Sequence, residues 1–242
     1  MSKKIFFIIC LTITSASLFA ADIITFGIGL KAGGGQTKSG LQDALDSLGY
    51  SDESSTVMPS YILGGVDLFF ESRKLFLLPR GNFFGIRFGF AKRGDEKAAA
   101  AGQTASFGPN GVRELEYKTT HTEFPFALYY KRTLTDNWKI SGGAGAAYGW
   151  IENSQTDKFT ANTAAPPYSP DPSNPNNFNR HRKEKVTKIY PFLTAGVELM
   201  FFQGLSLGID LRYNFLAEFK KGGIVYRDIN GIEAALGLRC YF

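Results

Sequence analysis

The sequence of 242 residues contains little cysteine, little histidine and, after its first residues, no long apolar run. Its cysteines are Cys10 and Cys240, and removal of an N-terminal leader leaves only Cys240, which excludes an internal disulfide in the mature chain. After the leader, no stretch approaches the roughly 18 apolar residues that a transmembrane helix requires. Membrane-spanning β-strands are shorter and only half apolar, so this lack does not exclude a barrel.

The scarcity of metal-binding side chains also restricts the chemistry. The two histidines and the remaining cysteine lie far apart, so we predict no metal site and no cofactor. The glycines between Gly27 and Gly33 lie within an alternating strand and lack the spacing of a dinucleotide loop. The formal charge of +5 falls to about +3 without the leader, which is too small and too scattered to predict a nucleic-acid partner.

The first twenty residues have the pattern of a secretory signal peptide. Lys3 and Lys4 precede the apolar segment Ile5–Ile13, and cleavage is expected after Ala20 or the next residue. The alternative, lipid attachment at Cys10, is disfavoured because this cysteine lies inside the apolar segment. The predicted organisation is a signal peptide at 1–20 and one barrel domain at 21–242.

The mature chain is dominated by alternation of apolar with small or polar residues, which is the period of a β-strand. In Ile24–Ala32 the even positions are apolar, whereas the odd positions carry Gly, Thr and Lys. The pattern predicts an all-β fold, an eight-stranded antiparallel up-and-down transmembrane β-barrel. The predicted strands are 24–32, 60–70, 84–93, 115–132, 138–151, 187–202, 205–215 and 232–242.

The predicted connections alternate between short turns and long polar loops, which is typical of outer-membrane barrels with both termini on the periplasmic side. Short helices are expected at Leu41–Leu48 and Asp95–Ala101. The predicted turns are 71–82, 133–137 and 203–204, and the predicted loops are 33–59, 94–111, 152–185 and 220–230.

The polar face of these strands combines glycine and alanine with charges of both signs. A soluble sandwich would expose a face rich in Lys, Thr and Ser, whereas small residues and complementary charges suit a narrow barrel interior. We expect Arg87 to pair with Glu123 or Glu198, and Arg239 with Asp210 or Glu233. The predicted structural charge network comprises Asp67, Arg87, Glu123, Glu198, Asp210, Arg212, Glu233 and Arg239.

Aromatic residues gather near the predicted strand ends. Trp138, Tyr148 and Trp150 share one face of one strand, close to its two ends. Because Tyr and Trp favour membrane interfaces, this placement favours two aromatic girdles over aromatic packing in a soluble core.

The C-terminal strand, with Gly237 and the final Tyr241 and Phe242, resembles the assembly signal of outer-membrane barrels. The segment Thr122–Lys131 resembles a middle strand of the small outer membrane protein beta-barrel domain family, which includes OmpA-type and opacity-type barrels. The resemblance implies an eight-stranded barrel in the cell outer membrane. It also implies that Gly237, Tyr241 and Phe242 engage the outer-membrane assembly machinery.

The most basic run of the chain lies at the end of the third predicted loop. Arg180, Arg182, Lys183 and Lys185 could bind lipopolysaccharide phosphates at the outer rim. The alternative is a solvated loop base without a ligand.

Function is less constrained than fold. We predict a monomeric, non-enzymatic barrel that supports envelope integrity and binds an envelope or host ligand through its loops. A narrow channel is an alternative, although eight strands leave an interior that side chains can fill. A lipid A hydrolase would use His121 as base, Glu123 to orient it and Ser106 or Ser60 as nucleophile. Otherwise His121 is a rim residue and Glu123 pairs with an interior arginine.

Overall fold

The computed structural model describes residues 24–36, 60–72, 78–102, 111–162, 171–221 and 224–242. Within these ranges, no helix is long and apolar enough to cross a membrane. The strands are β1 (Ile24–Gln36), β2 (Ser60–Ser72), β3 (Asn82–Gly102), β4 (Gly111–Thr133), β5 (Trp138–Ala161), β6 (Phe178–Phe202), β7 (Leu205–Asn214), β8 (Glu218–Lys221), β9 (Ile224–Asp228) and β10 (Gly231–Tyr241).

Eight of these strands form a closed barrel in the order β1-β10-β7-β6-β5-β4-β3-β2. Every neighbouring pair is antiparallel, which confirms the predicted eight-stranded up-and-down fold. Closure gives each strand a hydrogen-bonding partner on both sides, as a sheet within hydrocarbon requires. The strands β8 and β9 form a separate hairpin between β7 and β10.

The last residue of the chain takes part in closing the ring. The backbone N–H of Phe242 donates to the carbonyl of Phe26 at 2.8 Å, and the two ring centres lie 6.2 Å apart. This end of the barrel also carries the short turns, of which those predicted at 133–137 and 203–204 are confirmed. Gly204 has a φ of 80°, in the left-handed region that favours glycine.

Strand alternation separates the two faces of the wall. On β7, the outward Ile209 is 53% exposed, whereas the neighbouring inward Asp210 is 9% exposed. Cross-strand aromatic contacts run along the outside, with the ring centre of Phe124 5.5 Å from that of Trp150. The outer wall is therefore a band of exposed apolar side chains, which water would disfavour and lipid would solvate.

The height of this band matches a bilayer. Trp138 and Trp150 both lie on the outer face of β5, at opposite ends of its apolar segment. Their separation is about 40 Å along the strand, or about 28 Å along the membrane normal for strands tilted by about 45°. Trp138 and Trp150 therefore lie at the two opposite membrane interfaces, as two aromatic girdles require.

The strands β3 to β6 extend well beyond this band, which corrects the loop predictions for 94–111 and 152–185. β5 and β6 stay paired in one register from Trp138–Leu199 out to Phe159–Phe178. Beyond the bilayer neither face of a strand meets lipid, so the apolar alternation disappears although the backbone pairing continues. We call this four-stranded region, residues 95–102, 111–119, 153–161 and 178–186, the extracellular sheet.

Two smaller boundary predictions also change. The strand β1 continues to Gln36, into the loop predicted at 33–59. The strand β2 runs to Ser72, and part of the turn predicted at 71–82 lies outside the described residues.

The predicted short helices have different outcomes. Asp95–Ala101, an alanine-rich segment expected to be helical, belongs to β3 and pairs with β4. Pairing with a neighbouring strand here overrides the helix propensity of alanine. The helix expected at Leu41–Leu48 lies outside the described residues, as do the signal peptide and part of the proline-rich loop.

Candidate functional site

The barrel interior collects the charges that alternation directs inward. Glycines and alanines between them leave space for long side chains to cross the lumen. The structure places all eight predicted network residues in this interior, and each is buried except Arg87, whose side chain is 14% exposed. The same parity also brings in residues that the prediction omitted, namely Lys31, Glu71, Arg93 and Lys131.

The lower charge cluster lies toward the short turns. Arg239 bridges Glu198 and Asp210, with its Nη1 2.9 Å from Glu198 Oε2. Lys131 Nζ lies 3.0 Å from Glu198 Oε2 and also contacts Glu71. Further members of the cluster are Arg87, Lys31, Asp67, Ser206, Tyr129 and Tyr241.

The pairings within this cluster differ in part from the expected ones. Arg239 pairs with Asp210 as expected. Arg87 does not pair with Glu123 or Glu198; its Nη1 lies 3.1 Å from Asp210 Oδ2, and its Nη2 donates to Thr194 at 3.0 Å. The stagger of the strands around the barrel brings Asp210 to the height of Arg87, and sequence spacing alone does not contain that stagger.

The upper charge cluster lies toward the extracellular mouth and centres on Glu123. Its carboxylate accepts hydrogen bonds from Arg212 Nη1 at 2.6 Å and Nη2 at 3.1 Å, and it lies 2.9 Å from Arg93 Nη1. Arg93 also donates through Nε to Glu233 at 3.1 Å, and the Tyr61 hydroxyl donates to Glu233 at 2.7 Å. Both arginines therefore face buried carboxylates, as buried cations require.

The β8–β9 hairpin covers this cluster at the extracellular mouth of the barrel. Phe219 is fully buried against the interior residues Tyr190 and His121, with ring centres 5.8 and 4.8 Å apart. Tyr226 of the hairpin donates a hydrogen bond to Glu184 on β6. The hairpin is therefore a cap seated in the barrel mouth, whereas the sequence indicated only a loop at 220–230.

The hydrolase hypothesis requires His121 and Glu123 to act together. His121 is wholly buried beneath Phe219 at the level of Trp150, and Glu123 pairs with interior arginines, as the alternative prediction expected. Neither ring nitrogen has a hydrogen-bond partner among the described residues, and Glu123 is engaged by the upper charge cluster. Ser106 lies outside the described residues, and the side chain of Ser60 is not described. The described part of the chain also contains no cluster of His, Cys, Asp or Glu suited to a metal ion.

The basic run on β6 is divided by strand alternation. It lies in a strand rather than in a loop, so successive side chains point to opposite faces. Arg180 and Arg182 share the parity of the buried Glu198 and face inward, whereas Lys183 and Lys185 face outward. The four residues therefore do not share one face of the strand.

The outward lysines border a shallow recess of about 450 Å³ on the extracellular sheet. Lys118, Ser154 and Lys183 lie side by side on β4, β5 and β6, and the row below them contains Glu152 and Lys185. Lys185 Nζ lies 5.2 Å from the centre of the Trp150 ring, so the recess adjoins the aromatic girdle that contains Trp150.

The C-terminal residues lie on both faces of the wall. Phe242 is exposed on the lipid side, whereas Tyr241 points inward and donates to Glu198 at 3.0 Å. Gly237 lies beside Arg239 in the interior. Tyr241 therefore ties the chain terminus to the lower charge cluster.

No family model and no curated protein match the chain. Among solved structures it is similar to Ail, the attachment invasion locus protein of Yersinia pestis, at 13% identity and a TM-score of 0.38, covering 91% of this chain and 99% of that one. It is also similar to OprG from Pseudomonas aeruginosa (11%, 0.43, 91% and 96%) and to Neisserial surface protein A (11%, 0.38, 90% and 97%). The closed antiparallel ring, its apolar outer wall and its charged interior make the chain an eight-stranded transmembrane β-barrel of the outer-membrane type.

Proposed function

We propose that this protein is a non-catalytic surface-binding barrel, which contributes to envelope integrity and uses its extracellular sheet to bind an acidic partner. The main support for this proposal is the extracellular sheet, which continues the barrel wall well beyond the height of the membrane. A rigid paired sheet holds its side chains in fixed positions, which lowers the ordering cost of binding.

The chemistry of the partner follows from β6. Among the described residues, β7 pairs with β6 only from Phe192 onward, so the outer part of β6 is an edge of the sheet. Arg180 and Arg182 lie on this part. Arg182 contacts Glu184 through one guanidinium nitrogen at 2.5 Å, yet its side chain remains 73% exposed. Exposed guanidinium groups on a sheet edge suit the sulfate, phosphate or carboxylate groups of a polyanion.

The interior favours a closed barrel over a solute channel. Ion pairs cross the lumen at two heights, and the β8–β9 hairpin is seated above them. This arrangement favours a structural role for the charges, since moving any one of them would leave a buried partner uncompensated.

Binding to immobilised heparin in detergent tests the proposal, with heparin as the probe polyanion. We expect Arg180→Gln/Arg182→Gln to bind about tenfold more weakly, and with less salt dependence, than the unchanged protein. The control Lys220→Gln/Lys221→Gln removes the same charge from the hairpin and should retain binding. Equal loss in both variants, or no binding by the unchanged protein, would contradict the proposal.

A further inference from the structure

We infer that the β8–β9 hairpin is a pH-sensitive cap, which closes the barrel mouth while His121 is neutral and is released when His121 takes up a proton. This behaviour does not depend on the binding of a polyanion, because it concerns the interior beneath the hairpin rather than the edge of the extracellular sheet. The junctions of the hairpin, the packing at its seat and the charged groups around His121 all support it.

The hairpin is joined to the barrel at two positions with a left-handed backbone. Leu216 has a φ of 53° after the end of β7, and Gly231 has a φ of 121° at the start of β10. Between them, the Ala217 N–H donates to Asn230 Oδ1 at 2.7 Å, and the Ile229 N–H donates to the Ala217 carbonyl at 3.2 Å. The hairpin therefore has a closed neck of its own and can turn as a unit about its two junctions.

The seat of the cap is an aromatic contact at Gly149 on β5. The rings of His121, Phe219 and Tyr190 converge there, and a Cβ atom added at Gly149 would lie 3.0 Å from an atom of each ring. Phe219 is the hairpin residue of this contact, and its ring centre lies 4.8 Å from that of His121. A change in the charge of His121 therefore acts directly on the residue that seats the hairpin.

The surroundings of His121 suit a neutral ring rather than a charged one. Neither ring nitrogen has a hydrogen-bond partner among the described residues. The carboxylate of Glu123 already accepts hydrogen bonds from both terminal nitrogens of Arg212 and from the Tyr190 hydroxyl. It also pairs with Arg93. An imidazolium ring carries two N–H donors, and burying donors without acceptors is costly.

The charges around the ring also disfavour a further proton. Within the described part of the chain, the ionisable groups about His121 are Arg93 on β3, Glu123 on β4, Tyr190 on β6, Arg212 on β7, Arg227 on β9 and Glu233 on β10. The strands β5 and β8 contribute the uncharged Gly149 and Phe219. Both carboxylates are engaged by arginines, so a proton on His121 adds a positive charge beside other cations where little water screens them.

Opening the cap gives the ring access to water, which supplies the missing acceptors. An exposed imidazole takes up its proton near pH 6.5, so acid stabilises the open state. The closed cap is therefore fully favoured above this pH, and the ratio of closed to open cap falls about tenfold for each pH unit below it.

Hydrogen exchange of the full chain in detergent, measured by mass spectrometry at pH 7 and pH 5.5, tests the inference. Dividing each rate by that of the unfolded chain at the same pH removes the intrinsic pH dependence of exchange. In the unchanged protein, we expect opening of the hairpin to increase about eightfold from pH 7 to pH 5.5. His121→Gln and His121→Phe cannot take up this proton and should show an increase of less than about twofold.

The matched control is His181→Gln, because His181 is the other histidine of the chain and is exposed on the extracellular sheet. It should retain the full increase. Glu184 does not produce the expected change, since the Tyr226 hydrogen bond lowers the pKa of its carboxyl, which stays ionised at pH 5.5. Heat-modifiable gel migration checks that every variant is folded.

Four outcomes would overturn the inference. The first is the absence of an increase in the unchanged protein, and the second is the same increase in both His121 variants. The third is loss of the increase in His181→Gln, which would assign the response to the exposed histidine. The fourth is an equal increase in the amides of β7 and β10, which would show acid unfolding of the barrel instead of release of the cap.

Discussion

The most informative perturbation is Glu123→Gln, which removes one charge from the upper charge cluster while preserving shape. The carboxylate lies between Arg93 and Arg212 and is wholly buried, with its oxygens 2.9 and 2.6 Å from the two guanidinium groups. The substitution leaves Arg212 without its carboxylate and leaves Arg93 dependent on Glu233 alone. Removing one partner of a buried ion pair costs about 3–5 kcal/mol, and we expect a loss of stability in this range.

Urea titration in lipid vesicles, followed by tryptophan fluorescence, measures this loss as a lower midpoint at unchanged slope. The control is Glu114→Gln, because Glu114 pairs with Lys158 at 3.4 Å and both side chains are about half exposed. Screening by water limits such a pair to less than about 1 kcal/mol. If Glu123→Gln cost no more than the control, the charges would not hold the barrel as described.

A second substitution separates lost charge balance from lost packing. Arg212→Met in the Glu123→Gln background removes the cation that the first change leaves uncompensated. We expect the double variant to regain part of the lost stability, because an apolar side chain can replace a buried ion pair at little cost. Further loss in the double variant would instead show that Arg212 stabilises the barrel through its own contacts.

Three further predictions concern the barrel mouth. Phe219→Ala should speed amide hydrogen exchange across the β8–β9 hairpin, because it removes the buried side chain of the cap. The control is Lys220→Ala, and equal exchange rates in the two variants would show that other contacts hold the cap in place. The hydrogen bond from Tyr226 lowers the pKa of the extracellular Glu184 carboxyl. Protection of the hairpin amides from hydrogen exchange should therefore be present at neutral pH and be lost as the pH falls through that lowered pKa. Tyr226→Phe should weaken this pH dependence, and an unchanged pH profile would refute the assignment. In planar bilayers the unchanged protein should show no stable conductance, and reproducible unitary steps would favour a channel instead.

The fold was predictable where one face of a strand meets lipid and the other meets the charged interior. Leu205–Asn214 and Gly231–Tyr241 alternate clearly because the two environments differ most there. Glu71 and Lys131 have the same inward parity as Asp67 and Glu123. The sequence pattern could therefore have identified these two omitted residues as interior charges as well.

Other features have no such signal. The segments 153–161 and 178–186 lose the alternation because neither of their faces meets lipid. The capping role of Phe219 and the pairing of Arg87 with Asp210 depend on hairpin placement and strand stagger, which are set by the closed ring. The division of the β6 basic run between two faces follows from its being part of a strand, whereas the sequence indicated a loop.

The depth of the two tryptophans tests the transmembrane placement most directly. Variants that retain only Trp138 or only Trp150 would be refolded into vesicles whose lipids carry bromine at different acyl positions. Both residues should be quenched most strongly by bromine near the headgroups and least by bromine at the bilayer centre, because they lie at opposite interfaces. Maximal quenching at the centre, or none at any depth, would contradict a barrel that spans the membrane between these girdles.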